Sequence, residues 1–347
     1  MPKGIYRIID ANSNRAREAL RVMEDYARFV LDDPAGSEAV KVFRHDLAAC
    51  LRRLPAEELP AARDVGGDVG TVISTEAERQ RDGVRDVFVA AAKRLPEALR
   101  TLEEYGKTFD TRFATEVEAL RYRSYELEQR LMLRADRAAR MARVRLYVIV
   151  TESLCRGDWL EVTSRAIDGG ADCVQLREKG LQDGDLLARA RSMAAVCRKR
   201  GVLFIVNDRP DLAVLSNADG VHLGQTDMRA RDARRIIGPA RLIGLSTHTP
   251  EQLREAITDT PDYIAVGPMF ASTTKPQDHV PGPDLLALAL RETQIPIVPI
   301  GGIDAACAAS LRAAGAHCVC VCSAVIGATD PANAARALIP HSSALSV

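Results

Sequence analysis

Short apolar runs in the second half of this chain end, one after another, in residues that could do chemistry. The run ends carry Gln175, Arg177, Lys179, Asn207, Asp208, Asp227, Ser246, His248, Ser272, Lys275, Gly301, Gly302 and Ser323. Reactive or charged side chains at the carboxyl ends of successive strands are typical of a (β/α)8 barrel active site. The pattern therefore predicts that these residues meet at one end of such a barrel.

The end of the second run predicts a site for an anion. Arg177 and Lys179 are two positions apart, so their side chains leave a strand on the same face. Neighbouring cations repel unless an anion joins them, and a phosphate or diphosphate suits a guanidinium beside an ammonium. Gln175 shares that face, and its amide can both donate to and accept from a heterocycle. A salt bridge to a nearby acid is the alternative, but Lys275 and two glycine-rich loops favour the anion.

Two carboxylates predict a magnesium site. Asp208 and Asp227 follow the third and fourth runs, and Mg²⁺ needs only one or two protein carboxylates when it also holds water and phosphate oxygens. Asp219 comes just before a strand begins, so we expect it at the opposite end of the barrel, in a cap or turn. His248 ends the fifth run, where it could be a general base or a structural histidine.

The last two runs predict a phosphate site. Gly301 and Gly302 follow the seventh run, and Cys322 and Ser323 end the eighth. The loops after strands seven and eight commonly bind phosphate in this barrel. Glycine lets backbone N–H groups approach the phosphate closely, and a helix amino end adds partial positive charge.

Alternating strand-like and helical segments from residue 145 onward must position these side chains. The candidate strands are 145–151, 173–178, 203–207, 220–224, 242–246, 263–268, 295–300 and 318–322. The helical segments between them are 158–169, 183–200, 210–217, 229–237, 250–258, 283–292, 304–314 and 330–339. Parallel strands need such crossovers, and eight units indicate a closed α/β barrel. A doubly wound open sheet is the alternative, but its polar residues would cluster at one switch point.

The first half reads as a mainly α-helical domain, so we predict domains at 1–143 and 144–347. Apolar residues at helical spacing predict a helix over 15–31, with Asn12, Ser13 or Asn14 as its cap. Further helices are expected over about 76–105 and 115–142, with a glycine-rich loop at 66–70.

The two halves of this helical domain contain an internal echo. Residues 18–26, Glu-Ala-Leu-Arg-Val-Met-Glu-Asp-Tyr, resemble residues 97–105, Glu-Ala-Leu-Arg-Thr-Leu-Glu-Glu-Tyr. Arg21 and Glu24, like Arg100 and Glu103, are three apart and share a helical face. The echo indicates either a pseudo-twofold pair of helices around a shared pocket or two helices with ordinary ion pairs.

Composition limits the partners. Lys plus Arg and Asp plus Glu each number 47, so charge gives no reason to invoke nucleic acid or an anionic membrane. No apolar run approaches the ~20 residues that span a bilayer. The amino terminus lacks an apolar signal core, so a cytoplasmic protein is expected.

The cysteines also fit a reducing compartment, since they show no Cys-x-x-Cys spacing. Cys318, Cys320 and Cys322 alternate along one strand and share a face. Small buried residues are favoured over a three-thiolate metal site.

Taken together, the second-half motifs resemble the thiamine phosphate synthase family, also called thiamine-phosphate pyrophosphorylase. The resemblance covers about residues 145–338. Its motifs are Gln-Leu-Arg-Glu-Lys, Asn-Asp, Asp-Gly-Val-His-Leu-Gly-Gln-x-Asp, Gly-Leu-Ser-Thr-His, Val-Gly-Pro-Met-Phe-x-Ser-x-Thr-Lys, Gly-Gly-Ile and Ser-Ala-Val. The resemblance implies a transferase that joins 4-amino-2-methyl-5-hydroxymethylpyrimidine diphosphate to a thiazole phosphate and releases pyrophosphate.

The resemblance also implies roles for individual residues. The pyrimidine diphosphate would be held by the motif Gln175, Leu176, Arg177, Glu178 and Lys179 together with Asn207 and Lys275. Mg²⁺ would be bound by Asp208 and Asp227, and Ser246 would lie beside the reacting pyrimidine. The thiazole phosphate would be held by Ser272, Thr273, Thr274, Gly302, Cys322 and Ser323. Arg177, Lys179, Ser246 and Lys275 would act in catalysis.

The first half resembles the helical domain fused ahead of some of these synthases. The matching stretch covers residues 6–25, Tyr-Arg-Ile-Ile-Asp-Ala-Asn through Val-x-Glu-Asp. That domain is linked with phosphorylation of hydroxymethylpyrimidine phosphate, which implies ATP as a partner, although no P-loop motif is present. Candidate ligands are Asn14, Arg15, Arg21 and Arg100 for phosphate, and Asp64 or Asp68 for metal.

Other functions stay open at this point. A thiazole tautomerase would keep the phosphate site and His248 but would need no diphosphate-binding cations. A phosphate-sensing protein without activity would have to tolerate clustered charges without a ligand. The helical half could instead be a dimerisation module, with 115–142 as the interface, which would make the protein a homo-oligomer.

Overall fold

The computed structural model describes residues 2–55, 57–64, 66–67, 80–271 and 280–339. The chain forms two compact units, Met1–Ala135 and Asp136–Val347. The division falls within the helix Thr111–Ala142, before the predicted boundary at 143. Its last turns belong to the second unit because Arg137 donates to Asp262 at 2.7 Å and Arg140 pairs with Asp219.

The first unit is helical, as predicted. Its helices are Lys3–Asp25, Pro34–Leu51, Glu58–Ala61 and Val84–Gly106, with a π-helical turn Tyr26–Val30 and the start of Thr111–Ala142. The helix Pro34–Leu51 was not predicted from the sequence. Asp33 caps it by accepting from the backbone N–H of Gly36 at 3.0 Å, and Pro34 occupies its first turn.

The predicted start of the first helix at Asn12–Asn14 is wrong. The helix begins at Lys3, and Asn12 and Ser13 are buried in its middle. The amide of Asn12 donates to the carbonyl of Ile8 at 2.9 Å, one turn back in the same helix, so it does not cap an end. Ile9 belongs to the same buried stripe as Leu20, which continues the apolar face through the polar positions.

Buried ion pairs account for the internal echo in this unit. Glu103 lies 2.7 Å from Arg121 of the following helix, and Glu24 pairs in the same way with Arg44. Both glutamates are buried, whereas Arg100 is 54% exposed. The two similar stretches therefore each supply a buried glutamate that pairs with an arginine of the following helix. This favours the ion-pair interpretation over a shared pocket.

The second unit is the predicted eight-stranded parallel barrel. Its strands are β1 Leu146–Val150, β2 Cys173–Leu176, β3 Leu203–Asn207, β4 Gly220–Leu223, β5 Leu242–Thr247, β6 Tyr263–Val266, β7 Ile297–Pro299 and β8 Val319–Val321. Each strand pairs with the next in sequence, and β1 pairs with β8. Ile300, directly after β7, bridges to Cys320 of β8 and brings the two edges of the sheet together.

Helices connect the strands close to the predicted positions. They are Trp159–Asp168, Asp183–Arg200, Pro210–Leu215, Ala230–Ile237, Pro250–Thr258, Gly282–Glu292, Ala305–Ala313 and Pro331–Ala337. The short helices Glu152–Leu154 and Ser323–Ile326 were not predicted. Within the described part of the chain, no helix is both long and apolar enough to cross a membrane.

Side chains alternate between two cores along each strand. Leu146, Val148 and Val150 belong to the cluster between the strands and the surrounding helices. Tyr147 and Ile149 point into the barrel, and the interior cluster also contains Cys173, Ile205, Leu242, Tyr263, Val298, Cys318 and Cys320. Cys318 and Cys320 are therefore small buried core residues, as predicted, and burial raises the pKa of both thiols well above the usual range.

Candidate active site

The carboxyl ends of the strands surround a cavity of about 720 Å³. The predicted residues that line it are Gln175, Arg177, Lys179, Asn207, Asp208, Asp227, Ser246, His248, Gly301, Gly302, Cys322 and Ser323. The structure thus brings together side chains that are up to about 150 residues apart in sequence, as the strand order requires. Polar and charged groups concentrate in this one concave site, which makes it the candidate active site.

The motif after β2 divides its side chains between the cavity and the scaffold. Arg177 and Lys179 line the cavity, and the backbone of Arg177 is held by the carbonyl of Val150 and the hydroxyl of Thr151, at 2.9 and 2.7 Å. Leu176 instead lies in the hydrophobic core outside the strands. Neither Leu176 nor Glu178 is among the cavity-lining residues, so the structure does not bring their side chains to this site.

Glu178 fixes the loop that carries the two cations. Its carboxylate accepts from the backbone N–H of Glu152 at 2.7 Å and from Arg189 at 3.4 Å. Arg189 also lies over the ring of Trp159, 5.4 Å from the ring centroid. These contacts tie the loop to two neighbouring elements and turn Arg177 and Lys179, on either side of Glu178, toward the cavity.

The two predicted metal ligands come together at the cavity wall. Asp208 and Asp227 follow neighbouring strands, and burial together with the adjacent Asp227 raises the pKa of Asp208. Lys179 lies 3.6 Å from Asp208, which partly offsets this effect. The carboxylate of Asp227 accepts from the backbone N–H of Gly224 at 2.7 Å, which orients it.

The backbone at Asp208 is unusual for a residue with a side chain. Its φ is +64°, in the left-handed region, and its N–H donates to the carbonyl of His222 at 2.8 Å. Such conformations cost on the order of 1 kcal/mol or more, and they concentrate at functional sites. The bond to His222 holds the turn that aims the Asp208 carboxylate into the cavity.

Glycine is required where the loop after β7 meets the loop after β6. Gly302 has a φ of +66°, and a β-carbon there would lie 2.5 Å from the carbonyl oxygen of Phe270. Gly301 has a φ of +96°, and its β-carbon would lie 2.6 Å from a carbon of Pro268. The backbone can follow this course only without side chains. Gly302 and Ser323 both line the cavity, on the side predicted to bind phosphate.

A row of hydrogen-bonded side chains crosses the floor of the cavity. Gln175 donates to the hydroxyl of Tyr147 at 2.7 Å, and that hydroxyl lies 3.0 Å from the hydroxyl of Tyr263. Tyr263 lies 3.0 Å from Nδ1 of His222, whose Nε2 lies 2.8 Å from the hydroxyl of Ser246. Burial lowers the pKa of His222 to about 4, so its ring is neutral at physiological pH.

This row was not found by sequence reasoning. Tyr147, His222 and Tyr263 lie within the candidate strands 145–151, 220–224 and 263–268, and no role was predicted for them. Tyrosine is enriched in strands for its packing, so its presence there carries no functional signal by itself. Strand alternation could have indicated the row. Tyr147, His222 and Tyr263 point into the barrel, as Gln175 and Ser246 do.

His248 is held in place at the end of β5. Its Nδ1 lies 2.6 Å from the carbonyl oxygen of Gly267, so Nδ1 carries the proton and donates. Its backbone N–H donates to Gln252 at 2.8 Å. The ring lines the cavity, so His248 is oriented by the scaffold with Nε2 as its remaining ring nitrogen.

Several candidate residues lie outside the part of the chain that the structure describes. They are Asp68, Ser272, Thr273, Thr274 and Lys275. The roles predicted for them stay predictions.

In the helical unit, one candidate phosphate ligand, Asn14, lies beside an acid that was not singled out. Asp10 accepts two hydrogen bonds from Arg63, at 2.6 and 2.9 Å, and a longer one from Asn14. Arg15 is exposed and its guanidinium reaches Asn12 at 3.4 Å. Asp64 lies 3.9 Å from Arg7. Charged and amide groups thus gather around the middle of the first helix.

Comparison with known proteins agrees with both units. Residues 146–325 match the model of the thiamine monophosphate synthase family, and residues 7–130 match the ThiD2 family. The chain is 42% identical over 311 residues to the thiamine-phosphate synthase of Rhodopirellula baltica, covering 86% of this chain and 82% of that protein. It is 42% identical over 335 residues to the thiamine-phosphate synthase of Thermosynechococcus vestitus, covering 96% and 93%.

A solved structure shares the barrel. The thiamine phosphate pyrophosphorylase from Pyrococcus furiosus is 32% identical, with a TM-score of 0.53, and the match covers 58% of this chain and 95% of that chain. The fold, the residues around the cavity and these relatives agree, and the chain belongs to the thiamine-phosphate synthase family.

Proposed function

We propose that the barrel condenses 4-amino-2-methyl-5-hydroxymethylpyrimidine diphosphate with a thiazole phosphate to give thiamine phosphate and pyrophosphate. The observation that supports this most is the grouping of two cations and two carboxylates on one cavity wall. Arg177, Lys179, Asp208 and Asp227 all line the cavity. Opposite charges in this arrangement suit a diphosphate and a divalent cation bound together.

Magnesium fits the two carboxylates. Burial and the neighbouring Asp227 raise the pKa of Asp208, and a divalent cation held by these two carboxylates would relieve their repulsion. Mg²⁺ is commonly held by one or two carboxylates together with phosphate oxygens and water. When bound, the ion neutralises charge on the diphosphate.

The cations assist departure of the diphosphate. The C–O bond between the pyrimidine methylene and the diphosphate breaks, and the electron pair leaves with the oxygen. Arg177 and Lys179 are positioned to stabilise the negative charge that develops there. The electron-rich aminopyrimidine supports the cation left on the methylene carbon. The ring nitrogen of the thiazole then forms the new C–N bond, so no protein nucleophile is required.

The glycine loop supports the second substrate. Gly301 and Gly302 bring backbone N–H groups to the cavity wall where the short helix Ser323–Ile326 begins. A phosphate held there would tether the thiazole beside the pyrimidine. Holding two reactants in a reactive arrangement removes much of the entropic cost of their encounter.

A substrate-omission experiment tests this proposal. The purified chain with Mg²⁺ and both substrates is expected to form one pyrophosphate per thiamine phosphate, and nothing when either substrate is left out. A thiazole tautomerase would instead convert the thiazole phosphate without the pyrimidine. Conversion of that substrate alone, with no pyrophosphate released, would reject the synthase.

For the first unit we propose phosphorylation of hydroxymethylpyrimidine phosphate at the expense of ATP. The support is the match to the ThiD2 family and the contacts of Asp10 with Asn14 and Arg63 at the first helix. A sharp test supplies the pyrimidine monophosphate and ATP to an Asp208→Asn chain whose barrel is impaired. Accumulation of the pyrimidine diphosphate is expected, and its absence would leave a dimerisation module as the alternative.

A further inference from the structure

The five side chains on the floor of the barrel are joined in a single row from Gln175 to Ser246. Four hydrogen bonds of 2.7–3.0 Å connect Gln175, Tyr147, Tyr263, His222 and Ser246 in that order. Tyr147 and Tyr263 are fully buried, and both ends of the row line the cavity. A ligand in the cavity can therefore contact Gln175, His222 and Ser246, whereas Tyr147 and Tyr263 are not among the residues that line it.

A glycine in β5, Gly244, leaves the space that the row of side chains occupies. Gly244 lies between His222 and Tyr263 in the strand register. A β-carbon on Gly244 would lie 2.0 Å from the ring of Tyr263. The absence of a side chain thus lets Tyr263 lie across β5 and stack on His222, with 5.6 Å between the ring centroids. The row requires this glycine.

The donors in the row all point the same way. The amide nitrogen of Gln175 can only donate, so the hydroxyl of Tyr147 accepts a hydrogen bond from it. The Tyr147 hydroxyl then donates a hydrogen bond to the hydroxyl of Tyr263. Tyr263 in turn donates to Nδ1 of His222, so Nδ1 is an acceptor and the ring proton lies on Nε2. Nε2 then donates to Ser246. Any mixed arrangement leaves a buried hydroxyl proton without an acceptor among the described residues, which is unfavourable.

We propose that Tyr147, Tyr263 and His222 are positioning residues that give the two ends of the row opposite hydrogen-bonding roles. Ser246 has accepted from His222, so its hydroxyl proton is available to donate into the cavity. Gln175 has its amide nitrogen on Tyr147, so its carbonyl oxygen is the acceptor. The site selects a heterocycle that presents one acceptor and one donor, such as a ring nitrogen and an exocyclic amine. This assignment of the ligand rests on the proposed function.

The direction of the row can be measured without turnover. Long-range ¹H–¹⁵N NMR spectra of the ligand-free full chain report the tautomer of each histidine, and a His222→Asn variant identifies the signal of His222. We expect His222 to be neutral, with its proton on Nε2. A proton on Nδ1 would mean that every donor in the row is reversed, and protons on both nitrogens would mean that no such row exists. Either result would overturn the proposal.

A kinetic experiment tests the coupling to the cavity. Tyr147→Phe removes the partner of Gln175 but no group that lines the cavity, and Tyr122→Phe is the matched control on an exposed tyrosine. We expect Tyr147→Phe to raise KM for the pyrimidine diphosphate about tenfold while KM for the thiazole phosphate changes less than twofold. Equal effects on both KM values, or none, would show that Tyr147 only packs.

The two experiments separate this proposal from the proposed function. If the wild-type chain forms no thiamine phosphate, the synthase proposal fails, while the tautomer of His222 still decides the direction of the row. If turnover is normal and the His222 proton lies on Nδ1, the synthase proposal stands and the proposed direction of the donors in the row is wrong. Thermal unfolding of Tyr147→Phe, compared with Tyr122→Phe, distinguishes a loss of fold from a loss of positioning.

Discussion

The ammonium of Lys179 lies 3.6 Å from the carboxylate of Asp208, although the two residues belong to loops after different strands. Lys179 is 62% exposed, so the pair adds little stability. Its consequence is chemical, because it places a cation beside a carboxylate whose pKa is raised by burial and by Asp227. The same wall can therefore hold a divalent cation and an anionic substrate together.

Asp208→Asn is expected to weaken binding of a divalent cation at least tenfold, since an amide supplies one neutral oxygen in place of a charged carboxylate. Titration of the full chain with Mn²⁺, followed by electron paramagnetic resonance in the presence of the pyrimidine diphosphate, measures this. Asp183→Asn is the control, because Asp183 pairs with Arg209 and is 72% exposed. Equal Mn²⁺ affinity in both variants would remove Asp208 from the metal site.

The raised pKa of Asp208 predicts how the stability of the metal-free barrel depends on pH. In the folded state this carboxyl keeps its proton to a higher pH than the usual 3.8. The folded chain therefore binds more protons than the unfolded chain between these two pKa values, and stability falls as pH rises through that window. Asp208→Asn should remove this fall and make the metal-free chain more stable than wild type above the window.

Thermal unfolding in chelator across that pH range measures the difference between wild type and Asp208→Asn. Below the usual pKa of 3.8 the two should converge, because both carry a neutral side chain. A wild-type chain that is the more stable of the two near neutral pH would contradict the assignment. Added Mg²⁺ should raise the stability of wild type and leave that of the variant nearly unchanged.

Gly302→Ala is expected to impair the phosphate site beyond the cost of its backbone conformation. Gly302 and Gly201 have nearly equal φ values of +66° and +68°, so alanine costs roughly 1–2 kcal/mol of left-handed strain at either. Only at Gly302 does the new β-carbon also meet a backbone oxygen, at 2.5 Å, whereas Gly201 has open space. KM for the thiazole phosphate should rise about tenfold in Gly302→Ala and stay unchanged in Gly201→Ala. Equal kinetics would show that the loop does not bind this substrate.

Glu103→Gln is expected to destabilise the helical unit by roughly 3 kcal/mol, because the buried guanidinium of Arg121 loses its close counter-charge and keeps only Glu118, at 3.9 Å. Burial alone would raise the pKa of Glu103, but hydrogen bonds from Arg121 and Lys107 outweigh it and hold the pKa below its usual value. The stabilisation is therefore complete above the usual pKa of 4.5 and is lost as pH falls through the lowered value.

Hydrogen exchange of the helices Val84–Gly106 and Thr111–Ala142 in the full chain measures this loss. Glu104→Gln is the matched control, since Glu104 is 45% exposed and its pairs with Arg100 and Lys107 lie at the surface. Its effect should stay within about 0.5 kcal/mol. If both variants exchange alike, the buried pair does not hold the two helices together.

The barrel was predictable because strand-like and helical segments alternate regularly along the second half of the chain. Runs such as 146–150 are buried on both faces, and polar residues follow each run at one end of the sheet. The site followed from that order, since Asp208 and Asp227 end neighbouring strands. The pattern could not predict which way each side chain of a loop points. Glu178 lies between Arg177 and Lys179 in sequence, yet its carboxylate contacts Glu152 and Arg189 instead of lining the cavity.

The helical unit was less predictable for a physical reason. Asn12 and Ser13 have the types of residue that cap helices, and only tertiary packing shows that they lie buried inside one. The row from Gln175 to Ser246 was missed for a related reason. In the sequence its tyrosines are indistinguishable from ordinary core residues. Their hydroxyl groups meet residues of other strands only because the sheet closes into a barrel.

The most direct test of the account compares single-turnover pyrophosphate release by wild type and by Lys179→Met, with both substrates and Mg²⁺ present. Lys199→Met, on the exposed end of the helix Asp183–Arg200, controls for loss of a lysine. The account predicts release by wild type and Lys199→Met, and a rate about 100-fold lower in Lys179→Met, because one stabilising charge is lost as the diphosphate departs. Equal rates in Lys179→Met and wild type would contradict it.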